Sequence, residues 1–426
     1  MSSLISPPTL KPDADVTLSL TLPSTTPSSP LTTDPQLKAL KSEERGIFLI
    51  QNLFTCAKHA ASGNLHHADA CLNQIAQLSS INGDSIQRLS ARFASALAVR
   101  LVKRWPGLYK ALNRSQTGPK PELNRATTPP FLPCFSFAYA IIARNLVHSM
   151  AHQDAIHIVD LGSGDSRLWV PLLRSFAIGP RGPPQLNFTC VHSDKAVLAK
   201  LGQKLVKEAE AIGMAFQYNP VNVGLRELNM EMMKVRSDEA LALVSILSLH
   251  ELLAEDDRVD AQFGGNKEKG IKNSKQMGQF LAMVRSMSPK VVLLVEQEAD
   301  LNLNRLVDRF LGSLHYYSAV FDSLDFTLGA SSDERLALEE VFGKEIENIV
   351  ACEGLERVER HEKYEKWMVR FGQTGFRPVR MWFNAMDDAK KMVEGSGIEG
   401  YKIVNSKASL ILCWHERPLY AVSAWI

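Results

Sequence analysis

A short loop with two glycines is the most chemically suggestive part of this 426-residue sequence. An apolar run ends in an acid, the two glycines follow, and a helical pattern begins directly after them. Glycines behind a strand let the backbone approach a ligand closely, and the N-terminus of the next helix offers free N–H groups. We predict a small-ligand pocket, with a plain strand-to-helix turn as the alternative. The pocket residues would be Asp160, Gly162, Gly164 and Asp165, together with His192 from the end of the next strand.

This loop resembles the cofactor loop of S-adenosylmethionine-dependent methyltransferases. In that class an acid at the end of the second strand binds the ribose hydroxyls, whereas this chain has His192 at that place. Ser166 also stands where a third glycine would be expected. The resemblance implies an alternative function, in which a methyltransferase-like protein binds S-adenosylmethionine or another small ligand at Gly162 and Gly164.

Histidine and acidic side chains follow two further strand candidates. His250 and Glu251 come after the fourth strand, and Glu296 and Glu298 come after the fifth. Both strand ends would face the crevice in which α/β sheets bind ligands, so a His–Glu pair there could serve acid–base chemistry. Capping and solvation of the following helix explain the same residues. No nucleophile elbow, Walker loop or H-E-x-x-H motif occurs, so the favoured prediction has no catalytic residue, no cofactor and no metal site.

A run of alternating charge between Glu356 and Trp367 predicts a further helix. Glu356 would pair with Arg360, and Glu359 with Lys363, because residues four apart are neighbours on a helix surface. A solvated helix is the plain interpretation of this run. A polar face that binds a protein partner is the more specific interpretation.

The rest of the chain must supply a sheet that carries these strand ends. Short apolar runs with little alternation are separated by helical stretches, which indicates a parallel sheet buried on both faces. The last two runs, 408–414 and 419–425, form an antiparallel hairpin. Before the first strand the periodicity is helical, and Asp84 with Gln87 forms a capping box. We therefore predict an α/β fold, a doubly wound sheet with a C-terminal antiparallel hairpin.

Composition restricts the classes of function. The 48 Lys and Arg residues nearly balance the 46 Asp and Glu residues, which leaves a formal net charge of +2. Proteins that bind nucleic acid or anionic membranes electrostatically usually carry an excess of basic residues. We therefore expect neither direct high-affinity nucleic-acid binding nor membrane binding. Six scattered cysteines favour a reducing compartment. The sequence contains no secretory signal and no apolar run of membrane-spanning length, which indicates cytosol or nucleus.

The first 40 residues differ from the rest, with 7 prolines, 14 serines and threonines and no aromatic residue. Such a segment buries too little apolar surface to offset its ordering entropy, so residues 1–40 are predicted to be a disordered tail. Leu18, Leu20 and Leu22 would share one face of an extended strand and could dock into a groove of a partner. Chance spacing in a Leu-rich tail is the alternative.

Five landmarks in the right order resemble the plant GRAS family of transcriptional regulators. The likeness covers residues 43–426 and is closest to the scarecrow-like-three subgroup. The signature V-H-I-I-D segment of the family is matched by Ile156, His157, Ile158, Val159 and Asp160. The other landmarks are the first leucine-rich region at 57–104, the second at Leu249–Leu253, an R-x-x-E-type element at 352–367, and the terminal Ser423-Ala424-Trp425. Gly162 and Gly164 depart from the family, whose members usually lack this pair.

The resemblance implies a Rossmann-like, methyltransferase-related core with an N-terminal helical cap. The GRAS domain would span 41–426, with a mostly helical cap at 41–150 and an α/β core at 151–426. Helical insertions are expected around 325–375.

The same resemblance implies a nuclear regulator of transcription that is not an enzyme and that acts in plant hormone and developmental signalling. The expected partners are DNA-binding factors of zinc-finger type and other GRAS proteins such as DELLA proteins, with homo- or heterodimers among the complexes. The signature segment Ile156–Asp160 and the leucine-rich regions flanking it would form contact surfaces. Leu18, Leu20 and Leu22 resemble the plant repression motif that recruits corepressors.

Overall fold

Parallel strands form the centre of a nine-stranded sheet in the computed structural model. The structure describes residues 41–113, 134–179, 182–255, 274–329, 332–381 and 384–426. The strands are β1 (Ala155–Leu161), β2 (Gln185–Val191), β3 (Phe216–Val221), β4 (Ala240–Ile246), β5 (Val291–Gln297), β6 (Pro378–Val379), β7 (Tyr401–Ser406), β8 (Ser409–Trp414) and β9 (Arg417–Trp425).

The strand order is β3-β2-β1-β4-β5-β9-β8-β7, and the short β6 also pairs with β9. Strands β1 to β5 run parallel, whereas β9, β8 and β7 continue the sheet in antiparallel pairs. The order reverses between β1 and β4, and a doubly wound sheet places its ligand crevice at the carboxyl ends of such strands. The predicted doubly wound sheet and its C-terminal hairpin, β8–β9, are confirmed.

Helices connect the strands and precede them. They are α1 (Ser42–Ser62), α2 (Leu65–Leu78), α3 (Ser85–Val102), α4 (Pro106–Asn113), α5 (Cys134–Ser149), α6 (Ser166–Ala177), α7 (Lys195–Ala211), α8 (Met230–Met233), α9 (Lys275–Ser286), α10 (Leu306–Thr327), α11 (Asp333–Ala351), α12 (Tyr364–Gln373) and α13 (Ala385–Gly395). No helix within the described ranges is both long and apolar enough to cross a membrane.

Helices cover both faces of the sheet, which is why its central strands carry apolar residues in succession. On one face Trp169 of α6 packs edge-on against Phe188 of β2, with ring centroids 4.8 Å apart. On the other face Phe280 of α9 and Trp367 of α12 join a buried cluster that includes Trp425 of β9. The terminal S-A-W motif is therefore part of the core.

The N-terminal helices α1, α2 and α3 pack on one another; α1 and α3 also pack on α10, and α3 packs on α11. Asp84 and Gln87 form the predicted capping box at the start of α3, where the Gln87 N–H donates to Asp84 Oδ1 at 2.9 Å. Phe93 of α3 meets Phe310 of α10 edge-on, with centroids 5.2 Å apart. Helix α5 packs instead against α6, α13, β5 and β9, so it belongs to the layer covering the sheet.

The predicted helix over 356–367 is wrong. Glu356 ends a 3-10 helix (Gly354–Glu356), the chain is irregular as far as Lys363, and α12 begins only at Tyr364. The side chains of residues 357 and 359–362 are buried rather than solvated. Several of their partners lie in other elements, and those contacts override the local helical pairing.

A buried ionic contact holds α3 to α10 and α11. Arg88 donates to Glu339 Oε1 at 2.8 Å, to the Gly83 carbonyl at 2.6 Å and to Asp325. Arg88 and Glu339 are both almost fully buried. Burial of a carboxylate is tolerable only while a partner neutralises it.

Replacing Arg88 by Met should lower the free energy of unfolding by about 3–5 kcal/mol, because it leaves Glu339 buried without its main partner. Urea denaturation measures the change. Arg92 is the matched control, since it pairs with Glu340 at 2.6 Å near the surface. Arg92→Met should cost about 1 kcal/mol or less. Equal losses of unfolding free energy in the two variants would show that the buried pair contributes no more to stability than the surface pair.

Candidate functional site

Loops that follow three parallel strands meet at the carboxyl edge of the sheet. The glycine loop follows β1, a 3-10 helix (Leu249–Leu253) follows β4, and Glu296 and Gln297 end β5. The irregular segment 354–363 contacts the last two of these through Glu359 and His361. The predicted pocket and the strand-end acids therefore lie in one region.

Asp160 organises the glycine loop from inside. Its Oδ1 accepts the Ser163 N–H at 2.9 Å, and its Oδ2 accepts the Gly164 N–H and the Trp169 indole N–H, both at 2.8 Å. The Ser163 hydroxyl donates to Oδ2 at 2.7 Å. Complete burial raises the pKa of the Asp160 carboxyl, although these four hydrogen bonds favour its charged form. The acid is thus engaged by its own loop.

A protein side chain fills the space beside Gly162. The φ of this glycine is +103°, and a Cβ added to it would lie 2.6 Å from Ser248 Oγ. Leu247 precedes that serine with a φ of +53° and is held by its N–H bond to the Val295 carbonyl at 2.8 Å. A bulky residue rarely adopts such a φ. The glycine that would let a ligand approach instead accommodates Ser248.

Of the other two pocket candidates, Asp165 caps α6, and His192 binds the backbone of Asp194, the residue that caps α7. Asp165 Oδ1 accepts the Arg167 N–H at 2.9 Å at the start of α6, and its Oδ2 accepts the Tyr139 hydroxyl at 2.5 Å. His192 Nδ1 accepts the Asp194 N–H at 2.9 Å just before α7. The five predicted pocket residues therefore lie at the same sheet edge, and the side chains of Asp160, Asp165 and His192 bond to neighbouring protein atoms. Ligand binding there stays a prediction.

The signature segment Ile156–Asp160 lies in β1, in the middle of the sheet. Its side chains are at most 2% exposed. His157 Nε2 lies 2.9 Å from Thr189 Oγ1, and burial lowers the pKa of this imidazole to about 4. A strand that is paired on both sides and covered on both faces offers no surface to a partner. The segment can influence partner binding only by supporting the sheet.

Two histidines and two glutamates, His250, Glu296, Glu359 and His361, form a buried group that we call the His–Glu cluster. His250 Nδ1 lies 2.9 Å from Glu296 Oε2, and His250 Nε2 lies 3.1 Å from Glu359 Oε2. His361 Nε2 lies 2.9 Å from Glu359 Oε2. The two imidazole centroids are 3.9 Å apart. The strand ends thus bring His250 and Glu296 together, as their positions after neighbouring strands predicted.

The members of the cluster determine each other's charge. Burial by itself lowers the pKa of His250, but the carboxylates of Glu296 and Glu359 outweigh it and raise that pKa to about 10. Burial likewise raises the pKa of Glu296, and the two imidazoles outweigh it and lower that pKa to about 2. Opposite charge at hydrogen-bond distance therefore dominates over desolvation.

Glu298, which also follows β5, lies outside this cluster. Its carboxylate accepts the Tyr364 N–H at 2.8 Å at the start of α12. Burial raises the pKa of Glu298 to about 6. This strand-end acid orders the N-terminus of α12, which lies 66 residues further along the chain, and not that of the helix that follows β5.

Arginines inside the segment 354–363 hold it in its irregular path. Arg360 donates to the carbonyls of Arg357 and Gly354 at 2.8 and 2.9 Å. Asn348 of α11 accepts the Glu359 N–H at 3.0 Å. The guanidinium of Arg370 binds Glu362 through two hydrogen bonds of 2.6 and 2.9 Å. These contacts replace the hydrogen bonds that a helix would have made.

Sequence reasoning missed Glu359 and His361 as site residues because it placed them on a solvated helix. One signal against that helix was present. Between Glu356 and Lys363 the only apolar residue is Val358, so a helix there would have had no apolar face to pack. The pairing with His250 leaves no local trace, since His250 and Glu359 are 109 residues apart.

A surface groove lies beside the second leucine-rich region, and we call it the Leu355 groove. Its volume is about 520 Å³. Leu355 is 54% exposed and forms one wall. Arg226 on the rim donates to the carbonyls of Glu251 and Ala254 at 2.9 and 2.5 Å, which fixes the end of the 3-10 helix. Other lining residues are Leu225, Leu228, Leu252, Lys275, Phe280 and Met283.

Most of the second leucine-rich region is core rather than surface. Leu249, Leu252 and Leu253 are almost fully buried. Among them Leu252 also lines the groove. The contact surface offered here is therefore an apolar floor with a polar rim, and not an exposed row of leucines.

This architecture, a doubly wound sheet preceded by packed N-terminal helices, is that of a GRAS domain. The chain belongs to the GRAS domain family, whose sequence profile matches residues 49–426. Its relatives in that family are plant regulatory proteins.

Individual relatives cover most of the chain. It is 38% identical to Scarecrow-like protein 3 of Arabidopsis thaliana, across 91% of each chain. It is 31% identical to the Scarecrow-like transcription factor PAT1 of Arabidopsis thaliana, across 88% of this chain and 75% of that one. The crystal structure of SCL7 in Oryza sativa superimposes with a TM-score of 0.72 at 30% identity, covering 89% of this chain and 99% of that one.

Replacing Gly162 by Ala should lower the free energy of unfolding by about 3 kcal/mol, through a positive φ and a clash with Ser248. Thermal or urea denaturation measures this. Gly213→Ala is the matched control, because its φ is +65° and nothing lies within 4 Å of an added Cβ. It should cost about 1 kcal/mol. Adding Ser248→Ala should restore part of the loss at Gly162, and no restoration would contradict the close approach.

Proposed function

We propose that the protein is a nuclear transcriptional co-regulator that is not an enzyme and that acts through protein–protein contacts. Membership of the GRAS family, with a transcription factor among the relatives, supports this proposal. Its partners are DNA-binding factors, of zinc-finger type, and other GRAS proteins including DELLA proteins, in homo- or heterodimers. The setting is plant hormone and developmental signalling.

The Leu355 groove is the observation that carries the proposal. It combines an exposed leucine and an apolar floor with Arg226, Glu255 and Lys275 at the rim. An apolar centre with a polar rim is the usual anatomy of a protein–protein contact surface. The resemblance to GRAS regulators also assigns partner contacts to the leucine-rich region beside it.

Two further properties favour contact with proteins over contact with DNA or a small substrate. The formal net charge is only +2, so DNA would be reached through partners that carry the basic surface. At the carboxyl edge of the sheet, Asp160 and Asp165 are bonded to the protein itself. A substrate would have to displace those bonds, which costs free energy.

Changing Leu355 to Asp should weaken capture of DNA-binding partners from plant nuclear extract at least about tenfold, because it places a charge on an apolar wall of the contact surface. The folded state should survive, since the side chain is more than half exposed. The amount of partner recovered is quantified by mass spectrometry, and a transcriptional reporter in plant cells gives an independent readout.

Ile178→Asp is the control for this variant, because Ile178 is 85% exposed just after α6. It should leave partner recovery and the reporter unchanged. Equal recovery with Leu355→Asp and wild type would remove the groove from the proposal. Nanomolar binding of the purified protein to DNA, with a steep salt dependence, would contradict the proposal that the protein acts as a co-regulator.

Leu18, Leu20 and Leu22 lie outside the described residues, and their role as a corepressor-docking motif stays a prediction. Changing all three to Ala should abolish corepressor recovery and leave the melting temperature unchanged, because the tail is predicted to add nothing to the core. Co-precipitation and a thermal melt measure the two effects. Undiminished recovery of corepressor would show that the three leucines do not form a corepressor-docking motif.

A further inference from the structure

The His–Glu cluster has a geometry that its role as an ion pair leaves unexplained. Both histidines present Nδ1 to the same oxygen, Glu296 Oε2, at 2.9 Å for His250 and 3.6 Å for His361. Both present Nε2 to the other glutamate, Glu359 Oε2, at 3.1 and 2.9 Å. One carboxylate thus faces the two Nδ1 atoms and the other faces the two Nε2 atoms.

His361 supplies a second, independent observation. Its side chain is fully buried, yet neither of its ring nitrogens makes a hydrogen bond. The nearby carboxylate oxygens are close to the ring without the alignment that an N–H donor needs. Buried polar groups are almost always satisfied, and an exception in the interior points to an ion or water as the missing partner.

We propose that His250 Nδ1, Glu296 Oε2 and His361 Nδ1 bind a divalent metal ion of the zinc class, with Glu359 as a shared outer carboxylate. The candidate ligand atoms of these three residues lie within 4.8 Å of one another. Zinc bound at about 2.0–2.1 Å in tetrahedral geometry separates its ligand atoms by about 3.3 Å. The separations of 2.9 and 3.6 Å between Glu296 Oε2 and the two Nδ1 atoms lie on either side of that value.

The outer carboxylate fits the same assignment. A histidine that binds a metal through one nitrogen normally donates its other N–H to a carboxylate, which fixes the ring orientation and the tautomer. Glu359 Oε2 makes such a bond with His250 Nε2 at 3.1 Å, and it lies 2.9 Å from His361 Nε2. Its own backbone N–H is held by Asn348 at 3.0 Å, so the acceptor is fixed in place.

Charge balance favours a cation over two protonated rings. Two carboxylates buried in a dry site need two positive charges close to them. Two imidazolium rings with centroids 3.9 Å apart would repel each other strongly at low dielectric constant. One divalent ion supplies both charges and leaves each ring neutral, which is the form that binds metals.

Burial of the site favours a structural role, with a water completing the tetrahedron around the three protein ligands. All three ligand residues are buried, so substrate cannot reach the ion, whereas catalytic zinc sites keep a position open to substrate. The ion would tie together the exit of β4, the end of β5 and the segment that carries Leu355. This inference goes beyond the co-regulator function and does not depend on it.

Metal analysis of the untagged full-length protein tests the proposal. After expression in zinc-supplemented medium and dialysis, we expect about one zinc per chain by plasma mass spectrometry. Protein stripped with chelator should melt at a lower temperature and recover on addition of zinc sulfate. Cobalt chloride added to the stripped protein should give the visible absorption of tetrahedral Co²⁺ with nitrogen and oxygen ligands.

Variants locate the ion. His361→Ala and Glu296→Gln should lose the metal and the cobalt spectrum, and Glu359→Gln should weaken zinc binding about 10–100-fold. The control is His67→Ala, because His59 and His67 form another stacked histidine pair, with centroids 5.0 Å apart in the N-terminal helices. That variant should keep its metal.

Several outcomes would overturn the assignment, and two of them need only the wild-type protein. Absence of stoichiometric zinc together with absence of a cobalt spectrum would refute the site even where variants fail to fold. Iron or manganese at one per chain would refute the zinc class. Loss of the metal in His67→Ala, or its retention in folded His361→Ala, would place the ion elsewhere.

Discussion

A charged side chain removed from water must find opposite charge within the protein, and this constraint governs the carboxyl edge of the sheet. The His–Glu cluster joins the exit of β4, the end of β5 and the segment 354–363 at separations near 3 Å. Breaking one member would leave another charge buried and unpaired. Together with the arginine contacts inside the segment, this cluster fixes the path of residues 354–363 and thus the position of Leu355 on the surface groove.

The same edge explains why a fold suited to ligand binding can serve another purpose. In doubly wound sheets the crevice at the strand ends is where a ligand meets the backbone. In this chain Ser248 occupies the space beside Gly162, and the Asp160 carboxylate receives hydrogen bonds from its own loop. The binding elements of a Rossmann-like site are thus present, and they stabilise the loop that carries them.

The same constraint acts a second time where the N-terminal helices meet α10 and α11. Helix α3 binds α10 and α11 through the buried Arg88–Glu339 pair and through aromatic packing of Phe93 on Phe310. Apolar packing provides most of the attraction, and the ion pair adds a directional contact that fixes how the helices meet.

Local pattern in the sequence determined which elements form and in what order. Runs of apolar residues predict β1 to β5 and the final hairpin, and the Asp84–Gln87 box predicts the start of α3. These elements can be predicted because hydrophobic periodicity and capping act between near neighbours in the sequence. The sequence also placed His250 and Glu296 at neighbouring strand ends.

Tertiary structure alone decided where the charges of residues 357–362 go. A helix was the better local arrangement for them, but their partners lie up to 109 residues away. Charge pairing at low dielectric constant is much stronger than on a solvated helix surface, so the distant partners prevailed over the local pattern.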